Sequence, residues 1–160
     1  MNLTLYIATA FEGNASQLQN AIRKVAPAVQ ILDWSIQNSS FESQYGRNRH
    51  PENRFDFCAA ACMSADLVIC PAQDRELCVQ AGMAYAAGVP VLGIRGQPFP
   101  LLLAGCFSLV VETESEILQV VTRLQDCMSR IETDCKADMS ACIMCTSRSV
   151  CRYFLVQEAI

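Results

Sequence analysis

Histidine is nearly absent from this sequence of 160 residues, in which His50 is the only one. No histidine cluster is therefore available for a metal site or a catalytic triad. His50 stands directly before Pro51, and proline is well suited to the first position of a helix. We interpret His50 as a residue at the start of that helix rather than as a base, because nothing near it in the sequence would orient its ring.

The sequence also lacks long apolar runs and an excess of positive charge. No apolar run approaches the roughly 18 residues of a membrane span, and the first residues, MNLTLYIATAFEG, lack the basic region of a signal peptide. The net charge of −4 gives no general attraction to nucleic acid or to anionic lipid. We therefore expect a cytoplasmic protein with no nucleic-acid or membrane partner, in which any phosphate contact must be local.

Apolar residues and cysteine are abundant instead. The hydrophobic fraction is 52% and the charged fraction 18%, which argues against disorder. The length fits one domain, with a core over residues 1–130 and a Cys-rich C-terminal extension over residues 131–160. Ten cysteines would suggest disulfides in a small secreted protein, but no signal peptide is expected here. Four of them fall among core-patterned residues, where a free thiol behaves as a small apolar side chain: Cys58, Cys62, Cys70 and Cys78.

Apolar runs alternate with helical patterns along the chain. The runs predict five strands, within residues 3–9, 29–34, 65–70, 89–94 and 108–112. Four helices are predicted. The first starts at an Asn14/Gln17 capping box, and the second runs from Pro51 to about Ser64. The third runs from about Asp74 to Ala87 with Gly88 as C-cap, and the fourth starts at a Thr113/Glu116 capping box. Strands joined through helices imply a parallel sheet with right-handed crossovers. Five strands fit an α/β, flavodoxin-like or Rossmann-like doubly wound sheet of order 2-1-3-4-5.

In such folds, ligands bind beyond the carboxyl ends of the strands, at the switch point between strands 1 and 3. The candidate site is therefore formed by residues 9–13, by residues 71–76 and by the helix that carries Gln80. Thr9, Pro71 and Gln80 are predicted to converge there, because each follows or faces the carboxyl end of a strand.

Four segments of the chain resemble one known family. The strand LYIATAF, the helix start RFDFC, the strand ADLVIC and the segment QAGMAYAAGVPVLGI are similar to the nucleoside 2-deoxyribosyltransferase family and its nucleotide N-hydrolase relatives. The resemblance covers about residues 3–95, and its most specific part is the spacing of Gly82, Ala84, Gly88, Pro90 and Val91. Members of this family exchange or hydrolyse the N-glycosidic bond of deoxynucleosides. The resemblance implies a protein that acts on, or binds, deoxynucleosides or deoxynucleotides.

The resemblance also points to catalytic positions that differ in this chain. The family's nucleophilic glutamate stands two residues before the glycine that matches Gly82, where this chain has Gln80. The family's assisting aspartate maps onto Cys58 in this chain. Where the family usually has a glycine next to a residue with a hydroxyl group, this chain has Glu76 and Leu77. A carboxylate stabilises an oxocarbenium-like state by charge and can trap it covalently. An amide does neither well, although it can hydrogen-bond a sugar hydroxyl.

Glu76 is the carboxylate nearest to Gln80 in sequence. On a continuous helix the two residues face the same way, with their Cβ atoms roughly 6 Å apart, so Glu76 is a candidate assisting group. The alternative is an acid that stabilises the first turn of the helix through its dipole. Cys58 has a similar alternative, a thiol that only packs on an apolar helix face.

The remaining site predictions concern substrate binding. No cofactor or metal is expected, and the resemblance implies a homo-oligomer. Arg47, Arg49 and Arg54 lie near one loop and helix start, where they could clamp a phosphate; the alternative is an ordinary solvated loop. The residues expected to contact substrate are Thr9, Ala10, Phe11, Gly13, Arg54, Pro71 and Met83.

Two other interpretations remain. The chain is alternatively a non-catalytic nucleotide-binding module that has kept the crevice without the chemistry. A weaker alternative is a metal- or redox-linked protein that acts through its tail, where Cys142 and Cys145 have metal-ligand spacing between Cys135 and Cys151. Three of these cysteines also fall at helical spacing, so packing thiols are the simpler interpretation.

Overall fold

A computed structural model describes residues 2–8, 15–32, 51–71, 75–95 and 105–133 of the chain. These residues form five strands and four helices. The strands are β1 (Thr4–Ile7), β2 (Gln30–Leu32), β3 (Leu67–Cys70), β4 (Val91–Ile94) and β5 (Leu109–Val111). The helices are α1 (Ser16–Val25), α2 (Pro51–Ser64), α3 (Arg75–Ala86) and α4 (Glu114–Thr133).

The strands form one parallel sheet in the order β2-β1-β3-β4-β5. This confirms the predicted α/β, Rossmann-like architecture and its strand order. Each strand is shorter than the apolar run that predicted it, although Leu3, Ala8 and Pro90 still form backbone hydrogen bonds with neighbouring strands. The order places β1 and β3 side by side, and the chain leaves β1 toward β2 and β3 toward β4. The switch point therefore lies between β1 and β3.

Both faces of the sheet are covered, which explains why its strands are apolar without alternation. Leu5 and Ile7 of β1 belong to a core formed with α1 and α4. Tyr6 and Ala8 point the other way, into a second core formed with α2 and α3. We call the side of the sheet covered by α2 and α3 the site face, because these two helices carry candidate site residues.

The helix ends follow the predictions in two cases and depart from them in one. Gly88, just after α3, has a φ of +70°, the left-handed conformation expected of a C-cap glycine. At the start of α4, Thr113 Oγ1 accepts a hydrogen bond from the Glu116 N–H at 3.3 Å, as the capping box predicted. The predicted cap of α1 is wrong: Ala15 occupies the N-cap, and no side chain caps this helix.

None of the helices described is long and apolar enough to cross a membrane. Helix α4 runs to Thr133, three residues beyond the predicted limit of the core. The Cys-rich tail, including Cys135, Cys142, Cys145 and Cys151, lies outside the described residues.

Candidate functional site

A hydrogen bond between Tyr6 and Gln80 joins the first strand to helix α3. The Tyr6 hydroxyl donates to Oε1 of Gln80 at 2.7 Å. Tyr6 is 2% exposed and Gln80 is 5% exposed. Tyr6 reaches the helix because successive side chains of a strand point to opposite faces of the sheet, and its neighbours Leu5 and Ile7 face the other core. A buried tyrosine hydroxyl needs a polar partner, and α3 supplies one at this position.

The bond fixes the orientation of the Gln80 side chain. Because Oε1 accepts from Tyr6, the amide NH₂ group points away from the tyrosine hydroxyl. The backbone carbonyl of Gln80 accepts a second bond, from the Cys62 thiol of α2 at 3.4 Å. Gln80 is thus held by both β1 and α2, and its amide is the buried polar group that α3 presents to Tyr6.

Burial, above all, raises the pKa of the Tyr6 hydroxyl far above its usual value. Cys58 raises it further through charge repulsion and a side-chain hydrogen bond, and Cys62 raises it through charge repulsion. The Arg54 charge opposes them. Tyr6 therefore stays protonated at any ordinary pH and remains a hydrogen-bond donor toward Gln80.

Cys58, a candidate assisting residue, lies near Tyr6. It is 7% exposed and lies close enough to the Tyr6 hydroxyl to raise the pKa of that hydroxyl. Phe57, the preceding residue of α2, packs edge-on against the Tyr6 ring with centroids 6.4 Å apart. The site face thus brings together Gln80, Tyr6 and Cys58, although Cys58 carries no carboxylate with which to assist a reaction.

The burial that a packing thiol requires is found for three of the four core cysteines. Cys58, Cys62 and Cys70 are buried and free, whereas Cys78 is free but only half-buried. Cys78 precedes Val79, which is 54% exposed, so this part of α3 turns outward. Burial raises the pKa of Cys62 to about 12, and burial also raises the pKa of Cys70. These two thiols are poor nucleophiles.

Arg54 is 8% exposed, so for this residue the solvated-loop interpretation is wrong. The first turns of α2 place it on the buried side of the helix, one turn before Cys58, where its charge acts on Tyr6. A buried guanidinium favours electronegative groups nearby, and it can pair with a phosphate through two parallel hydrogen bonds. Arg47, Arg49 and His50 lie outside the described residues.

The other predicted site residues are only partly placed. Glu76 lies in the first turn of α3, one turn before Gln80, but it is exposed where Gln80 is buried. Pro71 directly follows β3 and is half-buried, and Met83 is half-buried against the site-face core. The predictions for the loop after β1 fall outside the described residues: Thr9, Ala10, Phe11 and Gly13.

Sequence reasoning missed Tyr6. The signal was present in the sequence. Side chains alternate along a strand, so residue 6 must face α2 and α3 when residues 5 and 7 face the other core. A tyrosine inside a buried strand also needs a partner for its hydroxyl. What the sequence did not reveal was which polar group the partner is. Within the described ranges no group of three His, Cys, Asp or Glu side chains is arranged to hold a metal ion.

The fold and the site together define an α/β protein with a doubly wound parallel sheet and a buried, neutral Tyr–Gln pair beside its switch point. No protein-family model and no curated protein matches this sequence. Among solved structures, the chain is similar to a CMP N-glycosidase of Clostridium botulinum, BcmB, with a TM-score of 0.49 and 13% sequence identity. The match covers 72% of this chain and 95% of that chain. A likeness of this size carries no argument about chemistry, which only the side chains of the site can support.

Proposed function

We propose that this protein binds a deoxynucleoside or deoxynucleotide at the switch point between β1 and β3, and that it cleaves or transfers the N-glycosidic bond slowly, if at all. The observation that carries the proposal is the buried Tyr6–Gln80 hydrogen bond of 2.7 Å. It stands at the position where the resembling family has its nucleophilic glutamate. By this resemblance, the chain has a buried polar group without charge at that position.

The expected slowness follows from the neutral amide. Glycosidic cleavage passes through an oxocarbenium-like state that a nearby carboxylate stabilises. Removing one preorganised electrostatic stabiliser of a transition state costs about 10²-fold to 10³-fold in rate. Glu76 is the nearest acid along α3, but its exposed side chain is poorly suited to replace a buried charge, since water screens it.

Arg54 favours a nucleotide over a nucleoside as the ligand. Its guanidinium is buried in α2 close enough to Tyr6 to lower the tyrosine pKa. A phosphate near this end of α2 would meet a fixed positive charge in a poorly hydrated environment, where such a contact is strong. In this proposal Arg54 holds the phosphate, and Gln80 contacts the sugar.

The second candidate function is a binding module without chemistry. The neutral state of the pair favours it, because neither the protonated Tyr6 hydroxyl nor the Gln80 amide can act as a nucleophile toward a sugar. The third interpretation, metal or redox chemistry in the Cys-rich tail, depends on residues outside those described. Elemental analysis of the protein purified without chelator tests it directly, with Cys142→Ser and Cys145→Ser as comparisons.

The test of the main proposal measures free-base release from deoxynucleosides and from their 5′-monophosphates. It compares the wild type with Gln80→Glu, with the Cys58→Asp/Gln80→Glu pair and with Glu76→Gln. The Tyr6 hydroxyl would donate to the new carboxylate of Gln80→Glu, and a hydrogen bond to a charged acceptor is about twice as strong as a neutral one. We expect base release to rise about 10²-fold in Gln80→Glu or in the pair.

Gln119→Glu is the matched control, because it adds the same charge at an exposed position of α4 and should leave base release unchanged. A fast wild type that Glu76→Gln inactivates would make Glu76 the working carboxylate and overturn the role given to Gln80. Calorimetry separates the two candidate functions: binding without turnover in any variant supports the binding module. Absence of both binding and turnover in every variant would leave the family resemblance as one of fold alone.

A further inference from the structure

Helices α2 and α3 are apolar on the side that points away from the sheet as well as on the side that packs against it. The sequence contains no charged residue from Phe57 to Ala65 or from Leu77 to Ile94. A helix that is apolar all round is normally buried, whereas a surface helix carries charged and polar residues on its outer side. Helices α1 and α4, on the other face of the sheet, follow this rule through exposed charged residues: Arg23, Lys24, Glu114, Arg123 and Asp126.

Each of the two apolar helices has one charge at the start of its outer side. Asp56 and Met63 are two turns apart on α2, and Arg75 and Val79 are one turn apart on α3, so each pair lies on one side of its helix. All four residues are exposed, Met63 by 55% and Val79 by 54%. We call the surface formed by these four residues the outer face. It has an acid on one helix, a base on the other, and apolar side chains behind both.

The two charges lie at nearly the same level along the helices. Both helices return the chain between strands of one parallel sheet, so they run in the same direction. The bond of 3.4 Å from the Cys62 thiol to the Gln80 carbonyl fixes their relative level. Asp56 precedes Cys62 by about 9 Å along α2, and Arg75 precedes Gln80 by about 7.5 Å along α3. Within the described ranges neither charge forms an ion pair.

We propose that the outer face is the interface of a two-fold symmetric dimer of this chain, in which Asp56 pairs with the partner's Arg75. A two-fold axis that runs between α2 and α3, parallel to both, places α2 of one protomer on α3 of the other and keeps every level unchanged. Both ion pairs then form at once, because each contact of such an interface occurs twice. Met63 comes to lie near the level of the partner's Val79.

Charge complementarity makes a second copy of this chain the occupant. An acid and a base at one level on two parallel helices are complementary to the same pair after the two-fold rotation. An axis perpendicular to the helices would place the charges at opposite ends of the contact, so it forms neither pair. Removal of Met63 and Val79 from water drives the association. The charges select the axis, since like charges in contact are strongly unfavourable.

Reversal of the charges tests the dimer and its axis together. Sedimentation measures the dimer dissociation constant of the wild type, of Asp56→Arg, of Arg75→Asp and of the variant with both changes. The wild type should form a dimer with a mass of twice 17.6 kDa. Each single reversal places like charges together at two points, and we expect the dissociation constant to rise about tenfold or more. The double reversal restores both pairs and should return it to within about threefold of the wild type.

A mixture of the two single variants is the sharpest arm of this experiment. Each variant should be mostly monomeric alone, but the mixed dimer has an acid opposite a base at both points and should form about as well as the wild-type dimer. Asp126→Arg is the matched control, because it makes the same charge change on the outer side of α4 and should leave the dissociation constant unchanged.

Three results would overturn the proposal: a monomeric wild type, a wild-type dimer that neither single reversal weakens, and single variants that do not associate when mixed. Circular dichroism checks that the variants fold. Should a reversed variant not fold, Asp56→Asn and Arg75→Gln replace it. They remove one charge of the pair without placing like charges together, so each should weaken the dimer to a similar but smaller extent, and an unchanged dissociation constant in both would also overturn the proposal.

Discussion

At the scale of single residues, the Tyr6–Gln80 hydrogen bond decides what the site can offer a ligand. The Tyr6 proton is committed to Gln80 Oε1, so the amide meets the tyrosine with its acceptor, and its NH₂ group, a donor, is on the other side. A carboxylate at the same position would instead offer an acceptor and a negative charge. The exchange of one functional group therefore changes both the charge and the hydrogen-bond polarity of the site.

Tyr6→Phe removes the donor while keeping the ring against Phe57. We expect the free energy of unfolding to fall by about 1–2 kcal/mol, because the buried Gln80 oxygen loses its tyrosine partner. Urea denaturation measures the change. Tyr85→Phe is the matched control, since Tyr85 is 61% exposed, and we expect it to change stability by less than about 0.5 kcal/mol. Equal effects of the two substitutions would contradict the importance of the Tyr6–Gln80 bond.

The buried Cys62 thiol predicts a pH dependence. Its pKa is about 12 in the folded protein against 9.0 for an ordinary thiol, so the folded state holds the proton more tightly than the unfolded state. The contribution of Cys62 is fully present below pH 9 and is lost as the pH rises from 9 toward 12. We expect the stability of the wild type to fall more steeply over this range than that of Cys62→Ala, as measured by urea denaturation at several pH values. Parallel curves for the two proteins would contradict the raised pKa.

At the scale of elements, α3 connects the candidate site to the sheet. Its first turn carries the exposed Glu76, its middle carries the buried Gln80, and it ends at the left-handed Gly88. The Gly88 turn lets the Val89 N–H donate to the Ala84 carbonyl at 2.9 Å, and the chain then enters β4. The end of this helix therefore fixes the start of β4.

Two glycines of this segment should respond oppositely to the same substitution. A Cβ atom at Gly82 or at Gly88 would have no heavy atom within 4 Å, so packing plays no part at either position. Gly82 lies within α3, and Gly82→Ala should stabilise the protein by about 0.5–1 kcal/mol through helix propensity. Gly88 has a φ of +70°, and Gly88→Ala should destabilise it by about 1 kcal/mol or more.

Thermal and urea denaturation of the two variants test this pair against the wild type. The difference between them depends on backbone conformation alone, because both side chains would point into open space. A Gly88→Ala variant as stable as Gly82→Ala would show that the turn after α3 accepts a right-handed conformation, and would weaken the account of how β4 is positioned.

At the scale of the whole molecule, helices cover both sheet faces, but apolar side chains remain outside. Phe55 and Met63 of α2 and Val79 and Tyr85 of α3 are each more than half exposed. We propose that the protein forms a homo-oligomer through this side of the molecule, as the family resemblance implies. Association would remove this apolar area from water, which favours it.

Light scattering tests the proposal through the mass in solution, which should be a multiple of 17.6 kDa. Val79→Lys should lower that mass, because burying an unpaired charge at a contact is costly. Val25→Lys is the matched control: Val25 is also exposed, but it lies on α1 across the sheet, so the mass should not change. A wild-type mass of 17.6 kDa at working concentration would contradict the proposed oligomer.

The sequence by itself determined the architecture. Continuous apolar runs such as Leu67–Cys70 predict strands buried on both faces, and their alternation with helical patterns predicts a parallel sheet whose order the structure confirms. Local chemistry also determined several boundaries, such as Gly88 after α3 and Thr113 before α4. These features depend on the propensities and hydrogen-bonding groups of residues close in sequence, so a local pattern contains the information.

Only the tertiary structure decided the composition of the site. Tyr6 and Gln80 are 74 positions apart, and the pattern of neither segment reveals that one hydroxyl meets one amide. Packing between elements likewise buries Arg54 and places the Phe107 ring against Gly93. It also leaves Glu76 exposed while it buries Gln80 on the same helix. Such contacts depend on how helices pack across the sheet, where a rotation of one helix by a fraction of a turn changes every partner while leaving the sequence pattern the same.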